Sequence, residues 1–429
     1  MIPAWRHLSM EEVIVPDRWK SARKVVIFTI FLDLLGFGLI IPQLQYYADT
    51  FGASPAFIGM IQAIYSLMQF LFAPFWGRLS DRVGRRPVLL VSIAGSVLSY
   101  VLFALARDAW MIFFSRLLAG ITAANIYTAQ AYLSDITPVQ QRTRAMGLIG
   151  AAFGVGFILG PALGGVLGAW GDNFAIGVGG ALLATANWLN AFFRLPESLS
   201  PENRRRVGDW YALPLRDLPR VLAIPHVGFL AIVQFIAVFA VSNFESTFVL
   251  LSKHRYGLDQ RECGYLFAYL GCVGAVVQGW LVGKLSARYG EARLVLSGYL
   301  LLAPALLMIP FMPSTGWLMV VLAVMALGGG VAGPSLDGLL SRLAPADRRG
   351  EVFSVTQSLG SLARVVGPLG GGWSFGSLGM SAPYVTATVL MLTAGAMVAW
   401  WLGSVALKTS APPWDDAHSC RTGIGSARS

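Results

Sequence analysis

The sequence predicts an all-α, polytopic membrane protein with twelve membrane-spanning helices in two pseudo-symmetric bundles of six. Three observations predict it. The 429 residues are 55% hydrophobic and only 13% charged, whereas a soluble domain carries about a quarter charged residues. Surface-to-volume scaling would not let a water-soluble fold of this length hide so much apolar surface. The apolar residues also gather into twelve windows of the length that crosses a bilayer core, about 20 residues, and landmarks in the first six windows recur in the second six.

The windows read as helices because backbone groups in lipid must be satisfied within their own segment. They are too long for the alternating strands of about ten residues in a membrane barrel. After a polar tail, 1–24, the first window spans 25–47 and carries FLDLLGFGLIIP. The second, 57–77, ends at GRLSDRVGRRP, where four arginines mark a tight reversal into the third, 87–106. The fourth, 109–133, follows Arg107 and Asp108 and stops before Pro138. The fifth, 145–170, is rich in glycine, and the sixth is 174–194. A polar connector, 196–226, contains PENRRRVGDW and divides the windows six and six. Windows at 227–251, 263–285, 293–312, 317–340, 352–376 and 383–405 complete the set, followed by a polar tail, 406–429. The expected bundles are therefore 25–195 and 227–405.

Lysine and arginine placement sets the orientation. With both termini in the cytoplasm, 26 of the 32 basic residues lie in cytoplasmic segments. Only Arg107, Lys253, Arg255 and Arg261 lie in outer loops, and Arg116 and Arg364 lie within windows. The net charge of +10 is thus spread over short loops, not gathered on the single face that nucleic-acid binding requires. The three cysteines form no CxxC pair, the four histidines have no zinc-like spacing, and no Walker motif occurs. The first 24 residues, with Glu11, Glu12 and Asp17, do not read as a cleavable signal peptide.

The repeat is visible in three places. GRLSDRVGRRP at Gly77 answers to GKLSARYGEAR at Gly283, 206 positions on. GPALGG at Gly160 answers to GPLGGG at Gly367, and Pro138 to Pro345, each 207 positions on. Parallel six-helix repeats place a binding cavity at the interface of the halves, near the membrane midplane.

Four ionisable residues fall well inside the windows: Asp33, Arg116, Glu245 and Arg364. A charge at the bilayer centre costs about 2.5–3.5 kcal/mol on insertion scales, so these must face protein or water. At 1.5 Å per residue, Asp33 lies about 13 Å from the inner end of its window and Arg116 about 10 Å from the outer end of its own. They are expected at similar depth and able to pair. Asp33 then reads as a proton switch or as half of a static salt bridge. Glu245 and Arg364 read as substrate-contacting or coupling groups, or as helix anchors.

Gly156, Gly160, Gly164 and Gly168 recur at four-residue steps. One helix face is left bare for a close neighbour, and Pro161 bends the helix there. In the loop, Asp81 is an acid among bases; its repeat position holds Ala287. A topology signal alone does not need Asp81, so a latch between the halves is expected, with local charge neutralisation as the alternative.

With these motifs the chain resembles the major facilitator superfamily, and within it the twelve-span drug–proton antiporters that include tetracycline efflux pumps. The resemblance covers 25–405. It implies a cytoplasmic latch at Gly77, Asp81 and Arg85 and an antiporter glycine motif at Gly147, Gly156, Gly160, Pro161, Gly164 and Gly165. It places Asp33, in FLDLLGFGLIIP, as the proton-linked acid and Arg116, in SRLLAGITAA, as its charged partner. The function implied is export of a small organic compound or drug in exchange for protons, by alternating access. It further implies no cofactor, with substrate, protons and lipid as partners and a monomer in the cell membrane; no metal or nucleic-acid site is expected. Tetracycline pumps carry an acid where Ser99 stands and a histidine where Gly274 stands, and the ninth window here has no acid. These departures favour a small organic compound over tetracycline itself. Candidate lining residues are Gln62, Asn125, Tyr127, Gln234 and Asn243, each equally able to be an interhelical hydrogen-bond group. A proton-coupled importer on the same fold, or a receptor or chaperone that kept the scaffold, are the competing readings; no cluster of catalytic groups suggests an enzyme.

Overall fold

The computed structural model describes residues 17–138, 141–200, 202, 218–345 and 348–409. Helices dominate, and no strand occurs among the described residues. Among the described residues twelve long helices follow in order, beginning with α1 (Asp17–Thr50), α2 (Pro55–Val83), α3 (Arg85–Ala104) and α4 (Ala109–Ile136). A single helical run then covers 142–194 but breaks at Gly171 and at Asp172, the latter with φ 55° and ψ −154°. That break separates α5 (142–170) from α6 (173–194). The second half holds α7 (Val227–Tyr256), α8 (Gln260–Tyr289), α9 (Glu291–Met308), α10 (Thr315–Leu343), α11 (Arg349–Leu378) and α12 (Ala382–Thr409).

Among the described residues, ten helices are long and apolar enough to cross a membrane, the 147–194 stretch counting as one. The break at Gly171–Asp172 makes that stretch two spans. α11 is the twelfth: its 30 residues suffice in length, but its glycines, serines and Arg364 dilute its apolarity. An even number of spans brings both ends of the described chain to one face, called here the terminal face. Local signals fix several starts at the opposite face. Ser54 Oγ accepts from Phe57 N–H at the head of α2, and Asp108 Oδ1 accepts from Met111 N–H at 2.8 Å at the head of α4. Asp259 and Glu262 cap α8 reciprocally.

The halves keep one register. Thr50 and Tyr256 end α1 and α7, Arg85 and Glu291 begin α3 and α9, and Ile136 and Leu343 end α4 and α10. Each pair is 206 or 207 residues apart. Within each half the same helices pack: α1 on α5 and α7 on α11. The halves join where α2 meets α11 and α5 meets α8. Trp110, Phe114, Trp170, Trp280, Trp317, Trp373 and Trp400 stand exposed on the outside, an apolar surface that a bilayer covers.

Candidate functional site: a buried acid between α1 and α4

The site begins with a fault in α4. Its helix stops at Ile121 and restarts at Asn125. Ser92 on α3 holds the gap: its hydroxyl donates to the Thr122 carbonyl and accepts from Ala124 N–H at 3.0 Å. Unwound backbone inside a membrane protein persists only where other groups satisfy it, and Ser92 does so. The restart carries Asn125 into the bundle, 6% exposed. Its Nδ2 donates to Asp33 Oδ1 at 2.5 Å, and its Oδ1 is buried without a partner.

Asp33 lies midway along α1, half-buried. The glycine ladder of α5 seats that stretch of helix. A Cβ on Gly156 would lie 2.9 Å from Leu34 Cβ, one on Gly160 2.8 Å from Gly38, and one on Gly164 would strike the Leu39 carbonyl. The bare face therefore meets α1 backbone to backbone, beside Asp33. Pro161 and Gly165 serve a second contact, with Gly264 and Arg261 of α8. Gly147 has no neighbour close enough to exclude a side chain.

Arg116 is buried, 5% exposed, but it forms no ion pair with Asp33. The expected pairing is corrected by the local partners. Arg116 Nη2 donates to Ser99 Oγ at 3.2 Å, and its guanidinium lies over the Tyr65 ring, 5.7 Å from the centroid. Ser99 and Ser115 are cross-bonded between α3 and α4, each hydroxyl donating to the other's carbonyl at 2.9–3.0 Å. That clamp holds Arg116 toward α2 and α3, while Asn125 takes the acid. Tyr65, Ser99 and Ser92 were not legible as site residues, since a sequence window gives depth but not the direction a side chain faces.

Tyr65 links the rest: Asp33, Arg116, Tyr127 and Arg364 all lie within its electrostatic reach. Gln62 is half-buried one turn earlier on α2, and Tyr127 is exposed two residues after Asn125. Glu245, midway along α7, has an exposed side chain, lies within electrostatic reach of Arg364 and accepts a bond from Gln45 Nε2 at its backbone carbonyl, 2.8 Å. Two candidates fall elsewhere. Asn243 is 1% exposed and buried against Gly371 of α11, so it belongs to the α7–α11 seam and does not line the space around Asp33. Gln234 lies eleven residues before Glu245 and pairs with Asp337 of α10.

Among the described residues, the hydrogen bonds and ion pairs that cross between halves cluster at the face opposite the termini. Asp49 on α1 meets Lys253 at 2.7 Å and His254 at 3.0 Å, both on α7. Tyr47 hydroxyl donates to Gln260 Oε1 at 2.7 Å, and Gln43 Nε2 to the Gln260 carbonyl at 3.1 Å. Deeper, a Cβ on Gly59 of α2 would collide with the Pro368 carbonyl of α11. This face is closed.

The α2–α3 loop lies at the terminal face. Asp81 pairs with Arg85 at 2.6 Å, and Arg85 reaches Asp135 at 3.2 Å and Ser80 at 2.6 Å. Glu197, after α6, accepts from the N–H groups of Arg85 and Arg86 at 2.8 and 3.1 Å and so caps α3. The latch expected between halves is, in this conformation, a network within the first half; Gly77 has open space around it.

This arrangement is matched among known proteins. The Major Facilitator Superfamily model matches residues 26–368 and 230–421. The class B tetracycline resistance protein of Escherichia coli is 32% identical over 81% of this chain and 87% of its own. Multidrug resistance protein 2 of Bacillus subtilis is 30% identical over 88% of this chain and 94% of its own. The crystal structure of the human organic anion transporter MFSD10 superposes with a TM-score of 0.67 at 28% identity, covering 89% of this chain and 99% of that one. Twelve helices in two six-helix halves, a shared internal offset and these matches lead to one conclusion: the chain is an integral, multi-pass membrane protein belonging to the Major Facilitator Superfamily.

Proposed function

We propose that the protein is a secondary active transporter that exports a small organic compound in exchange for protons. One observation carries the reading: a half-buried carboxylate, Asp33, is held by an amide and, among the described residues, has no ion pair, on the helix seated against the glycine face of α5. An acid tied to a cation by a salt bridge resists protonation; one held by a neutral amide gains and loses a proton with little rearrangement. The resistance proteins among its relatives support export, and the closed face opposite the termini fits a transporter caught with its pathway directed toward the terminal side.

Alternating access then works as follows. With both termini cytoplasmic, the outer clasp of Asp49, Lys253, His254, Tyr47 and Gln260 is made in the inward-facing state. Opening outward breaks it and brings the loop of Gly77, Asp81 and Arg85 against the second half, the latch that the resemblance implies. Gln62, Tyr127, Glu245 and Arg364 contact the substrate; Arg116, through Tyr65, sets the field around Asp33. The cycle is driven by the proton gradient alone, in a monomer in the cell membrane.

The test is direct. Proteoliposomes carrying a pH-sensitive dye are given tetracycline, ethidium or an aromatic carboxylate in turn. Antiport predicts proton movement against the compound's direction with at least one probe. Proton and compound moving together would replace the reading with import.

A further inference from the structure

We propose that Asp337 and Gln234 form a second proton-binding site, the counterpart in the second half of Asp33 and Asn125. Asp337 falls at the edge of the tenth apolar window, where a charge attracts no notice. In the structure it is an exposed acid on α10 whose Oδ1 accepts from Gln234 Nε2 of α7 at 3.2 Å. The chemistry repeats that of the first half: a carboxylate and an amide bridge the equivalent helices, α1 to α4 and α7 to α10. Acid and amide have exchanged helices. In both pairs the amide donates its N–H to the acid, and its own oxygen, Asn125 Oδ1 or Gln234 Oε1, is buried without a partner.

The positions also correspond. With the 206- and 207-residue offsets, Asp33 maps to Phe239 and Asn125 to Ala332. Gln234 precedes Phe239 by five residues and Asp337 follows Ala332 by five. The helices run in opposite directions, so both shifts point toward the terminal face. Five residues are about 7.5 Å of helix. The second pair is thus the first pair displaced toward the terminal side.

The orphan amide oxygen explains why an amide is present. With Asp337 ionised, Gln234 donates to it. When a proton from water binds the carboxylate, the acid becomes a donor, and a half-turn of the amide offers Gln234 Oε1 as its acceptor. One side chain serves both protonation states, with no other reactant. The surrounding groups leave Asp337 free for this. Arg342, on its own helix, pairs with Glu291 of α9 at 3.0 Å; Lys284 of α8 lies over Trp280, 3.9 Å from the ring centroid. Tyr299 of α9 is within electrostatic reach of Asp337, and Glu245 lies eleven residues further along α7 than Gln234. Among the described residues Asp337 has no ion pair.

That this proton takes part in exchange rests on the antiport reading; that the site binds one does not. The experiment is a pH titration by infrared difference spectroscopy of the full chain in liposomes, with the proton as the probe. Wild type is expected to show a titrating carboxylic-acid band that Asp337→Asn removes and Asp33→Asn leaves in place. Gln234→Leu should keep the band and shift its midpoint. A spectrum of Asp337→Asn identical to wild type overturns the proposal. If that variant does not fold, an unshifted midpoint in Gln234→Leu overturns it instead. Failure of the antiport reading would look different: the band present, but no compound-evoked proton movement in wild type.

Discussion

The two halves contain the same ion pair with its charges exchanged. In the first half Arg85, at the start of α3, meets Asp135, near the end of α4, at 3.2 Å. In the second, Glu291 at the start of α9 meets Arg342 near the end of α10 at 3.0 Å. The positions correspond through the 206- and 207-residue offsets. The second half follows helix electrostatics, with the acid at a helix N-terminus and the base at a C-terminus. The first half reverses both. Glu197 offsets that reversal by supplying the negative charge and the acceptors that the head of α3 needs. The reversal leaves an arginine where Asp81 can bind it at 2.6 Å. At the matching place in the second half, Ala287 has no charge to offer. The lesson is that the α2–α3 loop is built at an electrostatic cost its counterpart avoids, as a loop with a mechanical task would be.

Substitutions at the close-packed helix seams should have the strongest consequences in both halves. Gly160 and Gly367 are equivalent and both abut backbone or a Cβ: Gly160 against Gly38, Gly367 against Ser242 at 2.7 Å. Leucine at either should force the helices apart, and overpacking typically costs about 1–3 kcal/mol. Thermal unfolding in detergent should drop for both, and Gly160→Leu should also lose transport because α1 carries Asp33. Gly147→Ala, into open space, should leave folding unchanged. Equal loss in Gly147→Ala would deny the seam its special place.

Charge exchange sharpens the comparison at a middle scale. Asp135→Arg alone places two arginines together, 12% exposed on the Arg85 side. The double exchange Arg85→Glu with Asp135→Arg restores the pair in the second half's sense but removes the partner of Asp81. Stability should recover in the double variant while transport does not. Full recovery of transport would reduce the loop to a structural turn.

The smallest effect belongs to Glu291→Gln. Its partner Arg342 is 74% exposed, and exposed pairs contribute about 0–1 kcal/mol. Stability should change by less than the Asp135→Arg variant, read by the same unfolding assay.

How much of this was legible beforehand depends on the kind of information. Span count and internal repeat follow from apolar length and from offsets, both properties of the chain in one dimension. α11, read as the window 352–376, is also marked by GPLGGG as the counterpart of α5. Depth along each window was also readable, and Asp33 and Arg116 both come within electrostatic reach of Tyr65. Direction was not. Whether Arg116 turns to Asp33 or to Ser99 depends on the azimuth of α4, which its break at Thr122–Ala124 resets. Asn125 was visible as one polar residue among several, but its partner was not. Asp337 escaped because it stands near a helix end, where acids are common. Glu197 escaped because its role, capping α3 from beyond α6, joins segments over a hundred residues apart.

If Asp33 carries the coupling proton, its loss should separate driven from passive transport. Wild-type and Asp33→Asn protein in liposomes are assayed twice: for uphill accumulation driven by a proton gradient, and for exchange of labelled against unlabelled compound with no gradient. Asp33→Asn, whose amide can still bond to Asn125, is expected to keep exchange and lose accumulation. Accumulation at the wild-type rate in that variant would contradict that role for Asp33.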